Sequence, residues 1–206
     1  MHSALGQSAL PRQRNDAIFP NTAGYRHGAG PSPPPNREET RAMLTKTVLK
    51  ALNDQINAEL YSAYLYLGMS AWCEGKNLPG FAGWMRKQFG EEQTHALKLY
   101  DYVLDQDAEV TLAAIDAPAT SYKSLQDLWE TTLKHEQKVT ALIHKLYALA
   151  QKEQDFATQA LVQWFVTEQV EEEKNAHTIL EQVKMVGTNS SAIFFIDRHV
   201  GKSRED

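Results

Sequence analysis

Apolar residues recur every three to four positions along most of the chain after residue 43. Leu44, Val48, Leu52, Ile56 and Leu60 are spaced four apart and form one stripe on a helix. Glycine and proline residues interrupt this pattern, and they mark the ends of helices. The pattern predicts four long helices and a short fifth one, near residues 44–74, 80–106, 122–152, 155–186 and 192–200.

The lengths of these segments predict an all-α four-helix bundle. At 1.5 Å per residue, each long helix spans roughly 40–48 Å. The first and third connections are short and predict antiparallel neighbours, whereas residues 107–121 reach up to about 50 Å when extended. We therefore expect a long crossover between helices 2 and 3 and a short fifth C-terminal helix. Residues 109–115, within this connection, are the one stretch with a strand-like composition.

The first 42 residues differ in composition from the remainder of the 206-residue chain. Pro31, Pro33, Pro34 and Pro35 stand close to several glycines, and no apolar period is sustained. Such a segment buries too little surface to offset the entropy of ordering it. We expect residues 1–42 to be a disordered Pro/Gly-rich extension and residues 43–206 to be the folded domain.

Three explanations of this extension remain open. A secretory signal is not one of them, because it needs an apolar stretch of about seven residues or more and residues 1–42 contain none. An organellar transit peptide fits the arginine-rich, acid-poor composition of residues 1–36. The alternatives are that Met43 is the natural start, because patterned sequence begins there, or that the extension is a tail without function.

Charge and cysteine content narrow the class of protein further. The chain has a net charge of −5, and because residues 1–42 carry +2 the remainder carries −7, which argues against nucleic acid as the main partner. The single Cys73 excludes a disulfide framework and fits a reducing compartment. No apolar run approaches the roughly 18 residues of a membrane span. We expect a cytoplasmic protein that does not enter a membrane.

Four glutamates lie on the apolar stripes of the four long helices, one on each. Each has apolar or aromatic residues seven positions before and after it and lies close to the midpoint of its helix, so all four fall in one layer. His95 lies three residues after the second of them, on the same face. The four are Glu59, Glu92, Glu136 and Glu172.

This layer predicts a metal site. A single glutamate on such a stripe is ordinarily a boundary residue, and a lone histidine is ordinarily hydrogen-bonded in a core. Four buried carboxylates at one depth, without buried lysines or arginines, need a cation. Carboxylates with one imidazole suit iron, manganese or zinc. The halves of the chain form a pseudo-repeat in which Asn175 takes the place corresponding to His95, so one metal position should be weaker or more open.

From Met43 onward the chain resembles the non-haem bacterial ferritins, a ferritin-like di-iron family. The resemblance covers nearly all of the residues after the extension, and the extension itself has no counterpart in the family. The matching segments are NAELYSAYLY (57–66), MSAWC (69–73), EEQTH (91–95), KHEQ (134–137), QWFVTEQVEEEK (163–174) and FID (195–197).

The resemblance implies a role for each candidate residue. Glu59, Glu92 and His95 match the ligands of the first iron position, and Glu92 bridges to the second, where Glu136 and Glu172 match. Gln169 and Tyr66 match residues beside the pair. Haem is not implied, because Gln93 stands where bacterioferritins carry their haem-binding methionine. The carboxylates that match a third iron site are Glu91, Glu168 and Glu171.

The resemblance also implies a function. It implies a ferroxidase that oxidises Fe(II) to Fe(III) with dioxygen or hydrogen peroxide, and a 24-subunit cage that stores ferric oxyhydroxide. Two alternatives remain open. One is a DNA-protecting mini-ferritin, which would place its ligands between subunits, and the other is a helical bundle without ferroxidase activity.

Overall fold

A computed structural model of the chain describes residues 44–202, and the predicted extension lies outside this range. The described part consists of five helices and contains no strand. The predicted bundle with a short fifth helix is confirmed, and the observed ends lie within about three residues of the predicted ends. The helices are α1 (Lys46–Gly75), α2 (Pro79–Asp105), α3 (Leu125–Lys152), α4 (Phe156–Val186) and α5 (Ser190–Lys202).

Side-chain caps fix the starts of three of the long helices. Thr45 accepts a hydrogen bond from the backbone N–H of Val48 at 3.3 Å at the start of α1. Ser124 caps α3 and Asp155 caps α4 in the same way, at 3.1 Å and 2.9 Å. A short polar side chain at this position satisfies one of the free N–H groups of the first turn. The Ser124 cap explains why α3 begins three residues later than periodicity predicts.

The crossover between α2 and α3 runs along the length of α1. The Asn53 side chain donates to the carbonyl of Glu109 at 3.2 Å and accepts from the N–H of Thr111 at 2.9 Å. Further along, the rings of Trp72 and Tyr122 meet edge to face, with centroids 5.7 Å apart. The crossover thus returns the chain to the far end of α1, and α3 runs antiparallel to α1. Residues 109–115 form no strand, although their composition is strand-like. The Asn53 side chain makes the hydrogen bonds to the backbone of Glu109 and Thr111 that a neighbouring strand would make.

The apolar core consists of two clusters that lie toward opposite ends of the bundle. The first, near the start of α1, contains Leu52, Ile56, Leu99, Ile143 and Phe165 among its members. The second, near the end of α1, is built around Met69, Phe81, Met85, Leu128 and Trp129, and it also includes Ile196 and Val200 of α5. The layer that contains the four glutamates lies between the clusters. None of the helices in residues 44–202 is long and apolar enough to cross a membrane.

Candidate metal centre

Helices α1 and α2 bring three candidate ligands together. Ligand atoms of Glu59, Glu92 and His95 all lie within 4.8 Å of one another. Their exposed fractions are 1%, 2% and 6%, so the group is closed off from solvent. Glu92 and His95 share a face because they are three residues apart on one helix, and the His95 Nδ1 lies 3.4 Å from a Glu92 oxygen. Two carboxylates and one imidazole can bind one divalent cation here.

Helices α3 and α4 contribute the other two carboxylates to the same layer. Glu136 and Glu172 are both buried, and their negative charges act on Glu92 across the bundle. The Tyr66 hydroxyl of α1 donates a hydrogen bond to Glu136. Gln169 donates to the other oxygen of Glu136 at 3.3 Å. Glu136 and Glu172 thus add a second group of carboxylate oxygens close to Glu92.

Burial and mutual repulsion raise the pKa values of these acids. Burial is the main cause for Glu59, whose pKa is raised well above its ordinary value, and the neighbouring charge of Glu92 raises it further. The pKa of Glu92 is also raised, first by burial and then by Glu136 and Glu172. The pKa of Glu136 is raised by burial, although the hydrogen bonds from Tyr66 and Gln169 oppose that rise. Such a layer is costly without a cation.

The donor set fits such a cation. The Oε2 atom of Glu59 is buried and has no hydrogen-bond donor among the described residues. A buried carboxylate oxygen without a partner is rare, because its desolvation is not compensated. A divalent cation held by Glu59, Glu92 and His95 would supply that compensation. The rings of Trp164 and Phe165 hold His95 from its sides, with ring centroids at 5.4 Å and 5.9 Å.

Two buried glutamines at the centre are absent from the sequence-based set of site residues. Gln55 donates to Glu59 Oε1 at 2.9 Å. Gln88 donates to Glu172 Oε2 at 2.6 Å. Each lies four residues before a candidate ligand, at Glu59 and at Glu92. A glutamine one turn before a buried glutamate on an apolar stripe was the signal that could have identified them.

The candidate residues of a third iron site lie outside the buried layer. Glu91 and Glu171 are exposed, and they line one surface cavity of about 440 Å³ together with Asn175. Glu168 is half-buried and does not line that cavity. Their binding of iron stays a prediction.

An acidic run such as Glu171 to Glu173 predicts a solvated helix surface, and for Glu173 that prediction is wrong. This residue is half-buried, and it accepts a hydrogen bond from the Thr140 hydroxyl at 2.5 Å. Thr140 in turn accepts a hydrogen bond from Gln169 at 3.2 Å. The reason is the close packing of α3 against α4, which brings Thr140 to the side of α4 that carries Glu173.

A helical bundle with a buried carboxylate–histidine group at mid-height defines a class of metal-binding proteins. Within that class, the chain belongs to the ferritin family, since the model of the ferritin-like domain matches residues 49–186. The predicted resemblance is therefore confirmed, and membership of this family supports iron binding and iron storage as its general function.

Individual relatives agree with this assignment. A probable bacterial non-heme ferritin-like protein of Haemophilus influenzae is 40% identical over 159 residues, which are 77% of this chain and 96% of that protein. The bacterial non-heme ferritin of Escherichia coli O6:H1 is 37% identical over 158 residues, with the same coverage. An open pore ferritin of the archaeon Archaeoglobus fulgidus superposes with a TM-score of 0.76 at 41% identity, over 77% of this chain and 98% of that chain.

Proposed function

We propose that this protein is a ferroxidase that oxidises Fe(II) at the centre of its own helical bundle and stores the ferric product. The observation that carries the proposal is the buried group of Glu59, Glu92 and His95, whose ligand atoms lie within 4.8 Å of one another. Glu136 and Glu172 lie across the bundle from this group and act on Glu92. We propose that this layer holds two metal positions that share the carboxylate of Glu92.

In this proposal the two metal positions have different sets of ligands, and Glu92 belongs to both sets. Glu59, Glu92 and His95 form the first position, and Glu92, Glu136 and Glu172 form the second. The first includes an imidazole, whereas the second is made of carboxylates alone, because Asn175 replaces a second histidine. The second position should hold iron more weakly, which lets the ferric product leave.

The chemistry is a two-electron oxidation of two substrate ions. Anionic oxygen ligands favour Fe(III) over Fe(II), so each bound Fe(II) gives up one electron. Dioxygen takes up the two electrons and two protons and leaves as hydrogen peroxide. When hydrogen peroxide is the oxidant, two electrons and two protons convert it to two molecules of water. Glu92, placed between both positions, keeps the two ions close enough to react with one oxidant molecule.

Storage requires copies of the chain to enclose a cavity, and we propose the 24-subunit cage that is implied by the resemblance. Large apolar side chains on the surface of the bundle support association. Phe194 and Phe195 of α5 are 60% and 74% exposed, and Met185 of α4 is 85% exposed. Neighbouring exposed apolar side chains, such as Phe194 and Phe195, are typical of surfaces that contact another protein.

Aerobic addition of Fe(II), followed by size-exclusion chromatography, tests the proposal. The parent should oxidise iron faster than buffer and elute as a large iron-bearing particle. Glu59→Ala and Glu136→Ala should oxidise Fe(II) at the buffer rate, while Glu130→Ala, at an exposed position of α3, should match the parent. A small iron-free monomer, or unchanged oxidation by the two site variants, would contradict the proposal. The second result would favour a bundle without ferroxidase activity.

A further inference from the structure

One buried amide links carboxylates of the two helical hairpins. Gln88 of α2 has no exposed surface and lies one turn before Glu92. Its Nε2 donates to Glu172 Oε2 on α4, at 2.6 Å. The Gln88 side chain also favours the ionised form of Glu92, one turn further along α2. A glutamine amide has two N–H donors, so one group can serve both acceptors.

The other glutamines of the layer act more locally. Gln55 donates to Glu59 on its own helix, at 2.9 Å. Gln169 of α4 donates to Glu136 of α3, within one hairpin, at 3.3 Å. Among these three described glutamines, Gln88 is the one whose hydrogen bond joins the α1–α2 hairpin to the α3–α4 hairpin. Its bond is also the shortest of the three.

Packing alone does not account for a glutamine at this position. On the buried face of α2, the residues before Gln88 are apolar, as with Phe81, Trp84 and Met85. Burying an amide is costly unless its hydrogen bonds are made, whereas methionine fills a similar volume without that cost. Glu92 and Glu172, on which the amide acts, are two of the three carboxylates assigned to the second metal position. The interactions of the amide with these two carboxylates therefore explain why a glutamine occupies position 88.

We propose that Gln88 is a positioning residue for the second metal position, where its amide holds Glu92 and Glu172 in the orientation that binds iron. This inference rests on the proposed function, because it needs two metal positions in the layer. Hydrogen bonds from outside the ligand set fix the rotamers of ligating side chains, and their loss commonly weakens metal binding by about 10–100-fold. Because the amide is neutral, it orients the carboxylates without competing with the cation for charge.

Anaerobic titration of the full chain with Co(II) tests the inference without turnover. The visible absorption of bound Co(II) gives two stepwise dissociation constants. Gln88→Met should raise the second constant by about 10–100-fold and the first by less than about fivefold. Gln88→Asn keeps the amide on a shorter side chain and should give a second constant between those of Gln88→Met and the parent.

Two control variants separate positioning from general damage. Gln55→Met removes the donor to Glu59 and should raise mainly the first constant. Gln163→Met, at an exposed position of α4, should change neither. If the parent binds two Co(II) ions and Gln88→Met keeps its second constant within about threefold of the parent, the inference is overturned. The same conclusion holds if the only change in Gln88→Met is a lower thermal midpoint. A parent that binds fewer than two Co(II) ions would instead refute the proposed function, and the inference with it.

Discussion

The carboxylate of Asp197 on α5 caps the start of α2 by accepting a hydrogen bond from the backbone N–H of Phe81, at 2.9 Å. The backbones of the two helices meet beside this bond. A Cβ atom on Gly80 would lie 1.8 Å from the carbonyl oxygen of Asp197, and one on Gly201 would lie 2.9 Å from the Gly80 Cα. Asp197 itself is buried. The fifth helix is therefore held by a contact that leaves no room for a methyl group.

Gly80→Ala should loosen α5 and destabilise the protein. The added methyl group overlaps with backbone, which cannot move aside as a flexible side chain would, so we expect a loss of about 1–3 kcal/mol. Gly83→Ala is the matched control on the same helix, since no atom lies within 4 Å of its added Cβ. That change should stabilise α2 by about 0.5–1 kcal/mol. Urea unfolding measures both, and equal stability of the two variants would refute the packing argument.

In the metal-free protein, the buried glutamates should contribute a loss of stability as the pH rises above their ordinary pKa of 4.5. Burial raises the pKa values of Glu59, Glu92 and Glu136 in the folded state. The folded state then binds more protons than the unfolded state, so a rise in pH favours unfolding. Saturating Co(II) should reverse the trend, because a ligand of the folded state stabilises it.

Urea midpoints of chelator-treated protein measure this dependence on pH. Glu59→Gln should flatten it, whereas Glu130→Gln, at an exposed position, should keep the slope of the parent. A midpoint that is constant with pH in the parent would contradict the assignment of raised pKa values.

His135 should produce the opposite dependence on the acid side. Burial, and then the charge of Lys138, lower its pKa from 6.5 to about 4. Its ring stays neutral in the folded state, where Nε2 lies 2.8 Å from the Ser62 hydroxyl. The unfolded state therefore binds the extra proton between those values, and stability is lost as the pH falls from 6.5 toward 4.

The difference between the parent and His135→Gln isolates this contribution from that of the carboxylates. By pH 4 the parent should have lost roughly 2–3 kcal/mol more than the variant, relative to pH 7. His144→Gln, at an exposed position of α3, is the control and should follow the parent. Parallel pH profiles for the parent and His135→Gln would argue against a neutral buried ring.

Tyr66→Phe should slow iron oxidation without unfolding the protein. Burial and the charge of Glu136 raise the pKa of the Tyr66 phenol, so it remains a proton donor to that carboxylate. Losing one hydrogen bond to a charged group corresponds to about tenfold in rate. Stopped-flow measurement of the first aerobic turnover tests this, with Tyr61→Phe as the control. The Tyr61 ring packs on His135 at 5.9 Å, and its variant should stay within about twofold of the parent.

Asn175→His should tighten the second metal position. Asn175 follows Glu172 by three residues, as His95 follows Glu92, and a histidine there would add an imidazole to a carboxylate set. The second Co(II) should bind about tenfold more tightly, and repeated turnover should slow while the first turnover is retained. Thr167→His, at an exposed position of α4, should change neither. Faster repeated turnover in Asn175→His would contradict the idea that an open second position releases product.

The long helices and the carboxylate layer could be predicted from the sequence because helical periodicity fixes which face each residue occupies. Glu59 lies three residues from Ile56 and seven from Leu52, so the face that buries them buries Glu59 too. The same reasoning places Glu92 and His95 together. Both inferences depend only on the spacing of residues within one helix, and that spacing can be read from a single sequence.

Relationships between helices could not be predicted in the same way. The spacing of Gln88 from Glu92 places it on the buried face of α2, but only the structure shows that it donates to Glu172 on α4. Glu173 belongs to an acidic run that suggests a solvated surface, and only the contact with Thr140 shows otherwise. The docking of α5 on Gly80 likewise depends on two backbones separated by more than a hundred residues.

The division of the core into two apolar clusters has a mechanical consequence. Each end of the bundle is stabilised by a separate cluster of hydrophobic contacts. Between the two clusters lies the layer of glutamates, which repel one another when they are ionised. Under the proposed function, divalent cations bound in that layer would replace this repulsion with attraction to the carboxylates of all four helices. A subunit with metal bound in this layer should therefore resist separation of the two clusters better than the metal-free subunit does.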